Sequence, residues 1–312
     1  MKKYAIGIDL GGRSIKFGLF TEDGELVNKS TVNTRIDDGG KYILSDAYDH
    51  ILKIMEKHDL NSTNLMGIGM GVPGSVTQQR YVNKAVNLGW DFVDIKEYFD
   101  DKLDLKILVE NDANVAALGE AWVGVAKDYQ SIVMVTLGTG VGGGIIVDGK
   151  ILSGKHGSGG EIGHMPLLKE PLSRTCGCGN NRCFEQVASA TGIENIALDY
   201  LFENEEDSIL REVENITAKD IFDAFEKNDH AAMNIADQYF SHLARGLAII
   251  AAVVDPEAFV LGGGVSNAGD LLLDNVRTYY EKYCFVNNRD VDIKIAALGN
   301  DAGIYGAAKL VL

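Results

Sequence analysis

Short apolar runs interrupted by glycine turns occur at two separate places along the chain. Residues 4–27 read as an apolar strand, a Gly-Gly turn, a second strand, an Asp-Gly turn and a third strand. Residues 131–152 give the same elements in the same order, with Asp23-Gly24 and Asp148-Gly149 at equivalent turns. An Asp-Gly pair between alternating apolar runs is the strongest local signal for a β-hairpin. The pattern therefore predicts a duplicated strand–turn–strand unit.

A second pair of similar segments follows these units. Residues 64–74 and 257–266 each hold a short apolar strand that runs into glycines. Two such units, each completed by helices and a further strand, predict an α/β protein with two lobes and a cleft between them.

Helical patterns fall between the predicted strands. Residues 41–58 place their apolar side chains on one face, residues 111–122 begin with polar capping residues, and residues 231–254 form a long apolar stretch. The acidic segment 203–214 is interpreted as the solvated face of a further helix.

Composition and charge exclude several classes of protein. The chain has 36 glycines and 4 prolines in 312 residues. Its share of glycine is higher than the average for proteins, which is about 7%. Its formal net charge of −16 argues against a nucleic-acid or anionic-membrane partner, since either would need a basic face.

The longest apolar stretch that could be a transmembrane helix, 243–254, is interrupted by Arg245 and is too short to span a bilayer. With no signal-peptide pattern at the amino terminus, we expect a cytoplasmic protein.

Two glycine loops are candidates for binding phosphate. Gly11-Gly12 and Gly138-Thr139-Gly140 lie at strand-to-strand turns, where backbone N–H groups and the hydroxyls of Ser14 and Thr139 can face phosphate oxygens. Asp9 follows the apolar part of the first strand, in a position to bind Mg²⁺. Glycine-rich hairpins also occur without a ligand, so each loop alone leaves both interpretations open.

A dinucleotide-binding site is excluded by context. The spacing G-x-G-x-x-G begins at Gly69 and again at Gly138, but a Rossmann site needs a helix to begin in the loop. Neither match is followed by a helical pattern.

A cysteine cluster predicts a metal site. His164, Cys176, Cys178 and Cys183 form the pattern His-x11-Cys-x-Cys-x4-Cys. Three thiolates and one imidazole complete a tetrahedral zinc site with no open position, which is the structural type. Cys284 stands apart, and we interpret it as an ordinary packed thiol.

Carboxylates lie close to this cluster in the sequence. Glu161 precedes His164 by three residues, and Glu185 follows Cys183 by two. Because carboxylates accept hydrogen bonds from vicinal hydroxyls, a polyol such as a sugar is the natural ligand. Asp112 lies at the start of a predicted helix, where a carboxylate is typically a cap. Spacing alone does not decide which carboxylate acts as a base.

Read together, the motifs resemble those of the ROK family of sugar kinases and repressors, and within it those of the bacterial glucokinases. The resemblance runs nearly end to end, and it implies the actin/hexokinase-like ATPase fold, a ribonuclease H-like duplication with an interdomain cleft. The motifs are Asp9-Leu-Gly-Gly, Gly69-Met-Gly-Val-Pro-Gly, Asn87-Leu-Gly-Trp, Glu110-Asn-Asp-Ala-Asn, Leu137-Gly-Thr-Gly-Val-Gly-Gly-Gly, Gly160-Glu-Ile-Gly-His, CGCGNNRCFE, Leu261-Gly-Gly-Gly and residues 299–308.

The resemblance implies a role for each matching residue. Asp112 would bind the sugar and accept the proton of its attacking hydroxyl, and His164 would bind zinc with one ring nitrogen and face the sugar with the other. The other sugar-binding residues would be Gly74, Asn87, Asn111, Glu161 and Glu185. The nucleotide-binding residues would be Asp9, Gly11, Gly12, Arg13, Ser14, Gly138, Thr139 and Gly140, with Gly262, Gly263 and Gly264 near the adenosine.

The implied activity is phosphorylation of glucose to glucose 6-phosphate, with ATP, Mg²⁺ and a structural Zn²⁺. Alternatives are a kinase for N-acetylmannosamine, fructose or allose, or a sugar-sensing repressor, which the negative charge and the early position of Asp9 disfavour. The resemblance also implies a homodimer, and a small domain of residues 1–115 plus 300–312 beside a zinc-bearing domain of residues 116–299. Arg13 and Arg182 depart from the family pattern, and the orientation of Arg13 stays open.

Overall fold

The structure is a computed structural model that describes residues 2–312. Its strands are Tyr4–Leu10 (β1), Ser14–Thr21 (β2), Leu26–Asn33 (β3), Leu65–Val72 (β4), Ser75–Thr77 (β5), Tyr81–Lys84 (β6), Val93–Asp94 (β7), Ile107–Asn111 (β8), Ile132–Leu137 (β9), Val141–Val147 (β10), Lys150–Ile151 (β11), Ala258–Gly262 (β12) and Asp292–Ile295 (β13). Its α-helices are Asp37–Gly40 (α1), Ile43–Lys57 (α2), Ile95–Asp100 (α3), Asp112–Trp122 (α4), Glu185–Ala188 (α5), Ala190–Glu203 (α6), Ala218–Glu226 (α7), His230–Val254 (α8), Asp270–Tyr283 (α9) and Ala302–Lys309 (α10).

Two five-stranded sheets have the same strand order. The first runs β3-β2-β1-β4-β8 and the second runs β11-β10-β9-β12-β13. In the first sheet, β1 pairs antiparallel with β2 and parallel with β4. In the second, β12 lies parallel to both β9 and β13. The predicted duplication is therefore confirmed, since the paired sequence segments occupy equivalent strands. A small third sheet has the order β5-β6-β7.

The structure also excludes a dinucleotide-binding site at the two G-x-G-x-x-G matches that begin at Gly69 and Gly138, as the sequence predicted. After Gly74 the chain continues as β5, and after Gly140 it continues as β10. Both glycine loops therefore connect strands, and neither opens a helix.

By contacts the chain divides into two compact units. The first comprises Met1–Gln130, Gly144–Gly160 and Ala297–Leu312, and the second comprises Ser131–Gly143 and Glu161–Ala296. Helix α4 continues without a break through residue 115. The domain limits expected from the sequence, 1–115 with 300–312 and 116–299, stay a prediction.

The core of the first unit lies between its sheet and α2. The β1 residues Ile6 and Ile8 are fully buried, and α2 buries Ile43, Ala47 and Ile51 on one face. This spacing of three to four residues is the one that predicted the helix from the sequence.

Helix α10 packs against β4 and α4 at very short distance. A Cβ atom on Gly306 of α10 would overlap the carbonyl oxygen of Val115, and a Cβ atom on Gly69 of β4 would overlap that of Ala307. Only glycine permits backbones to approach so closely. This packing fixes α4, the helix that begins at Asp112, against the sheet.

The expected helix over residues 203–214 is wrong. Helix α6 ends at Glu203, and only a single 3-10 turn, Ile209–Glu212, follows. The Asp229 carboxylate accepts hydrogen bonds from Ser208 Oγ at 2.9 Å and from the Ile209 backbone N–H at 2.8 Å. Asp229 thereby satisfies one backbone N–H of the segment, that of Ile209, outside a helix. The segment is held by Asp229, the residue before α8, and by its own Arg211, which donates to the carbonyl oxygens of Glu206 at 2.9 Å and Leu201 at 3.1 Å.

Among residues 2–312, no helix combines the length and hydrophobicity that crossing a bilayer requires.

Candidate active site

Asp112 is the first residue of α4, directly after the end of β8. Its neighbour Asn111 caps the helix, because Asn111 Oδ1 accepts hydrogen bonds from the backbone N–H groups of Ala113 at 2.9 Å and Asn114 at 3.2 Å. Asn111 Nδ2 donates to the carbonyl oxygen of Gly74 at 3.1 Å. The Asp112 side chain is exposed, and its Oδ1 also accepts from the Ala113 N–H at 2.9 Å, beside the cap that Asn111 provides. The structure brings the predicted residues Gly74, Asn111 and Asp112 together.

The buried carboxylate of Glu110 holds the turn at Asn111 and Asp112 in place. Glu110 is 2% exposed, and its Oε1 accepts from the Asn111 N–H at 2.9 Å and from Asn114 Nδ2 at 3.1 Å. Its Oε2 accepts from Ser153 Oγ at 2.7 Å. A buried carboxylate is tolerated when several donors replace its water. Glu110 therefore joins the Asp112 turn to the segment that follows β11.

The first glycine loop connects β1 and β2. The Gly11 N–H donates to the Ser14 carbonyl at 3.0 Å, and Thr34 Oγ1 donates to the Gly11 carbonyl at 2.6 Å. A Cβ atom on Gly12 would lie 3.0 Å from the carbonyl oxygen of Asn87. The predicted sugar-binding residue Asn87 thus lies beside the loop, and Arg13 at its tip is exposed.

Asp9 at the edge of this loop is paired with a lysine. Lys16 Nζ lies 3.2 Å from Asp9 Oδ2 and donates to the carbonyl oxygen of Asn300 at 2.9 Å. Asp9 also lies against the first turn of α10, because a Cβ atom on Gly303 would be 3.0 Å from Asp9 Cγ. Sequence reasoning did not single out Lys16; the Asp9–Lys16 strand pairing is the signal that identifies it.

The second glycine loop, Gly138–Gly140, lies in the second compact unit, next to the glycine cluster Gly262–Gly264. The Ala190 N–H at the start of α6 donates to the Gly138 carbonyl at 2.8 Å. A Cβ atom on Gly140 would lie 2.6 Å from Glu185 Oε2, and one on Gly263 would lie 2.5 Å from the Leu137 carbonyl oxygen. Gly138–Gly140 and Gly262–Gly264 are therefore neighbours, and the loop also contacts Glu185.

A cavity of about 350 Å³ opens beside Gly264. Helix α7 contributes Phe222 and Lys219 to its wall, and the 3-10 turn Gly264–Ala268 contributes Val265 and Asn267. These lining residues are both apolar and polar, and no motif in the sequence marked them.

The predicted metal ligands lie together. One ligand atom from each of His164, Cys176, Cys178 and Cys183 lies within 4.8 Å of the others. The Sγ atoms of Cys178 and Cys183 are 3.5 Å apart, as are Cys176 Sγ and His164 Nδ1. Tetrahedral coordination with Zn–S bonds of about 2.3 Å places sulfurs about 3.8 Å apart, so this donor set fits zinc. Burial raises the pKa of the Cys176 thiol, so a bound cation is needed to hold it as a thiolate.

The cluster orients His164 and two carboxylates. With Nδ1 facing the sulfurs, His164 Nε2 lies 3.8 Å from Glu161 Oε2. Glu185 Oε1 accepts a hydrogen bond from Cys176 Sγ at 2.8 Å. The side chains of His164 and Glu161 are 41% and 49% exposed, and that of Glu185 is 22% exposed. An imidazole nitrogen and two accessible carboxylates in one place are suited to binding a polyol.

The predicted site residues fall into two groups by compact unit. The first unit holds Asp9, Gly11, Gly12, Arg13, Ser14, Gly74, Asn87, Asn111 and Asp112. The second unit holds Gly138, Thr139, Gly140, Glu161, His164, Cys176, Cys178, Cys183, Glu185, Gly262, Gly263 and Gly264.

Comparison with known proteins finds relatives over almost the whole chain. The glucokinase of Halalkalibacterium halodurans is 38% identical over 314 residues, which cover 99% of this chain and 95% of that protein. The glucokinase of Thermotoga maritima is 33% identical over 315 residues, covering 98% and 96%.

Solved structures agree with these relatives. The crystal structure of a ROK family glucokinase from Streptomyces griseus in complex with glucose and AMPPNP superposes with a TM-score of 0.76 at 32% identity, covering 98% of each chain. The predicted actin/hexokinase-like fold is thereby confirmed. The sequence model of the ROK family matches residues 5–312, and the chain belongs to this family.

Proposed function

We propose that the protein is an ATP-dependent glucokinase that forms glucose 6-phosphate. The observation that carries this proposal is the end-to-end similarity to glucokinases, one of which has been crystallised with glucose and an ATP analogue. The arrangement of Glu161, His164 and Glu185 agrees with it, because two carboxylate acceptors and one imidazole N–H donor lie close together, where they can bind hydroxyls.

Several polar groups would bind the sugar. The Glu161 and Glu185 carboxylates would accept hydrogen bonds from the hydroxyls of the hexose, and the Nε2–H of zinc-bound His164 would donate one. Asn111, Asn87 and Gly74 would also contribute. The support for Asn111 is its fixed position, since it caps α4 and bonds to the Gly74 carbonyl at 3.1 Å. Fixed acceptors of this kind reduce the entropy cost of binding.

Asp112 would be the catalytic base. As the 6-hydroxyl attacks the γ-phosphorus, its proton passes to the Asp112 carboxylate while a new O–P bond forms. The bond between the γ-phosphorus and the β–γ bridging oxygen breaks, and ADP leaves with the electron pair. An aspartate in the equivalent role accepts the substrate hydroxyl proton in protein kinases. The exposed carboxylate at the start of α4 supports this assignment.

The glycine loops would hold the nucleotide. Gly11–Ser14 and Gly138–Gly140 would bind the phosphates through backbone N–H groups and the hydroxyls of Ser14 and Thr139. Mg²⁺ held near Asp9 would neutralise phosphate charge. The cavity lined by Phe222 and Val265 beside Gly264 would take the adenine.

Zinc would have a structural role that shapes the sugar site. Held by His164, Cys176, Cys178 and Cys183, the ion would fix the His164 ring, and its positive charge would attract the Glu185 carboxylate, whose Oε1 lies 3.8 Å from His164 Nδ1. Groups that lie against the metal ligands are oriented in this way.

Two further features belong to the proposal. The protein would act in the cytoplasm as a homodimer, without a nucleic-acid partner, in line with its formal charge of −16. Other hexoses and N-acetylhexosamines are the alternative substrates, because a set of hydroxyl acceptors specifies only a polyol.

The deciding experiment is an ADP-release assay over glucose, fructose, allose, N-acetylglucosamine and N-acetylmannosamine, with the wild type and Asp112→Asn. We expect glucose to give the highest kcat/KM. Asp112→Asn should lose at least about a hundredfold in kcat, while calorimetry shows that glucose still binds. Preference for another sugar would change the substrate, and near-normal turnover of the variant would remove Asp112 from the mechanism.

A further inference from the structure

Lys16 places a positive charge at the base of the first glycine loop. It lies directly opposite Asp9 across the antiparallel pair of β1 and β2. Its Nζ atom is 3.2 Å from Asp9 Oδ2, and the two side chains are 28% and 21% exposed. The pair is therefore partly open to solvent on the strands that the Gly11-Gly12 turn connects.

The charge of Asp9 creates a problem for nucleotide binding. A carboxylate next to a phosphate loop repels the triphosphate unless a cation compensates it, and the chain as a whole carries −16. Asp9 is held in place by the first turn of α10 near Gly303. Because the carboxylate is confined there, a cation beside it can compensate its charge together with the proposed Mg²⁺, and Lys16 is at hydrogen-bond distance.

We infer that Lys16 binds an oxygen of the ATP triphosphate, and that its contact with Asp9 holds the ammonium group in position when no nucleotide is bound. The inference rests on the proposed use of ATP. A lysine stem has four flexible methylenes, so the ammonium can turn from Asp9 to a phosphate while β2 stays in place. When ADP leaves with the electron pair, this cation compensates the added charge on its terminal phosphate.

A purely structural role is the competing explanation. Lys16 also donates to the carbonyl oxygen of Asn300 at 2.9 Å, and it therefore links β2 to the segment before α10. Lys29 on β3 makes a comparable link, since its Nζ lies 2.6 Å and 2.7 Å from the two oxygens of Asp301. Lys29 has no contact with Asp9 among the bonds found in residues 2–312. It is therefore a matched control for the loss of one lysine that tethers this segment.

The experiment compares Lys16→Met, Lys16→Arg and Lys29→Met with the wild type. Steady-state kinetics give kcat and the KM values for ATP and glucose, calorimetry gives the Kd for Mg·ADP, and thermal unfolding gives Tm. We expect Lys16→Met to weaken Mg·ADP binding and raise the KM for ATP by about tenfold or more, as loss of a charge-assisted hydrogen bond predicts. Lys16→Arg should restore most of the affinity, and the affinity for glucose should stay unchanged.

Lys29→Met separates the two explanations. It should lower Tm as much as Lys16→Met does, with wild-type affinity for Mg·ADP. If Lys16→Met binds Mg·ADP like the wild type, or no worse than Lys29→Met, Lys16 is only a tether and the inference is overturned. Absence of ATP-dependent glucose phosphorylation by the wild type would instead contradict the proposed function.

Discussion

Ser153 Oγ donates a 2.7 Å hydrogen bond to Oε2 of the buried Glu110, the residue that supports the turn carrying Asp112. Through this bond the segment after β11 is tied to the start of α4, although the two residues lie far apart in the sequence. Seven residues further along the chain, the segment reaches Gly160, which precedes Glu161. The Glu110 carboxylate therefore contacts both the turn that carries Asp112, the proposed base, and the chain segment that leads to Glu161, a proposed sugar-binding residue.

Replacing Glu110 should therefore affect catalysis as well as stability. In Glu110→Gln, an amide takes the place of an oxygen that accepts from Asn111, Asn114 or Ser153, and a buried polar group loses its partner. We expect a loss of about 1–3 kcal/mol in the free energy of unfolding and about a tenfold fall in kcat from displacement of Asp112. The KM for ATP should stay unchanged. Denaturant titration and steady-state kinetics measure both effects.

Glu120→Gln is the control for this prediction. Glu120 is also fully buried, and it accepts hydrogen bonds from the backbone N–H groups of Val125 at 3.0 Å and Leu298 at 2.7 Å. It should lose comparable stability while keeping kcat. An equal fall in kcat for both variants would mean that Glu110 acts only through general stability.

The duplicated fold was predictable because its signals are local. Glycine turns between apolar runs fixed the hairpins at Gly11-Gly12 and Asp148-Gly149, and the shared order of segments implied two equivalent sheets. The spacing of Cys176, Cys178 and Cys183 likewise predicted a cluster that the structure brings together. Such features depend on residues near one another in the chain.

The residues that sequence reasoning missed depend on long-range contacts. Glu110 acquires its importance from Ser153, and Lys16 from Asn300 as well as Asp9. In the segment 203–214, which is not a helix, the Ile209 backbone N–H and the Ser208 side chain bind Asp229, the residue before α8. A single sequence gives no signal for pairings of this kind.

Removing the metal should weaken sugar binding. The cysteine cluster positions His164, and Glu185 Oε1 lies 3.8 Å from His164 Nδ1, so loss of the ion should free the His164 ring and remove the positive charge beside Glu185. We expect Cys183→Ser, or treatment with a strong chelator, to release zinc and to raise the Kd for glucose by about tenfold or more. Elemental analysis measures the zinc, and calorimetry measures glucose binding.

Cys284→Ser is the matched control, because Cys284 is a free cysteine outside the cluster. It should keep full zinc content and normal affinity for glucose. If zinc-free protein binds glucose as tightly as the zinc-loaded form, the metal has no part in shaping the sugar site.

The close packing of α10 gives a test of the fold. In Gly306→Ala, the new methyl group would overlap the backbone of α4 at Val115, and the helices would have to separate. Overpacking of this kind should destabilise the protein by about 2–3 kcal/mol or more. Gly177→Ala is the control, since a Cβ atom there meets no atom within 4 Å. Similar midpoints for the two variants in urea would show that α10 and α4 adjust without cost.

The buried His242 on α8 should make stability depend on pH. Burial, and to a lesser extent the charge of Arg245, lowers the pKa of His242 from 6.5 to about 4. The Nδ1 atom is buried and has no hydrogen-bond partner within residues 2–312. Between pH 6.5 and pH 4 the unfolded chain therefore binds a proton that the folded protein does not, and stability falls as the pH is lowered through this range.

His242→Gln removes this proton-linked loss. Other titrating groups are common to both proteins, so the difference between their free energies of unfolding isolates His242. We expect that difference to shift in favour of the variant by about 2 kcal/mol between pH 7 and pH 5. Urea titrations at pH 8, 7, 6 and 5 measure it, with pH 8 as the reference where the histidine is neutral in both states. Parallel pH profiles for the two proteins would show that protonation of His242 is not linked to unfolding.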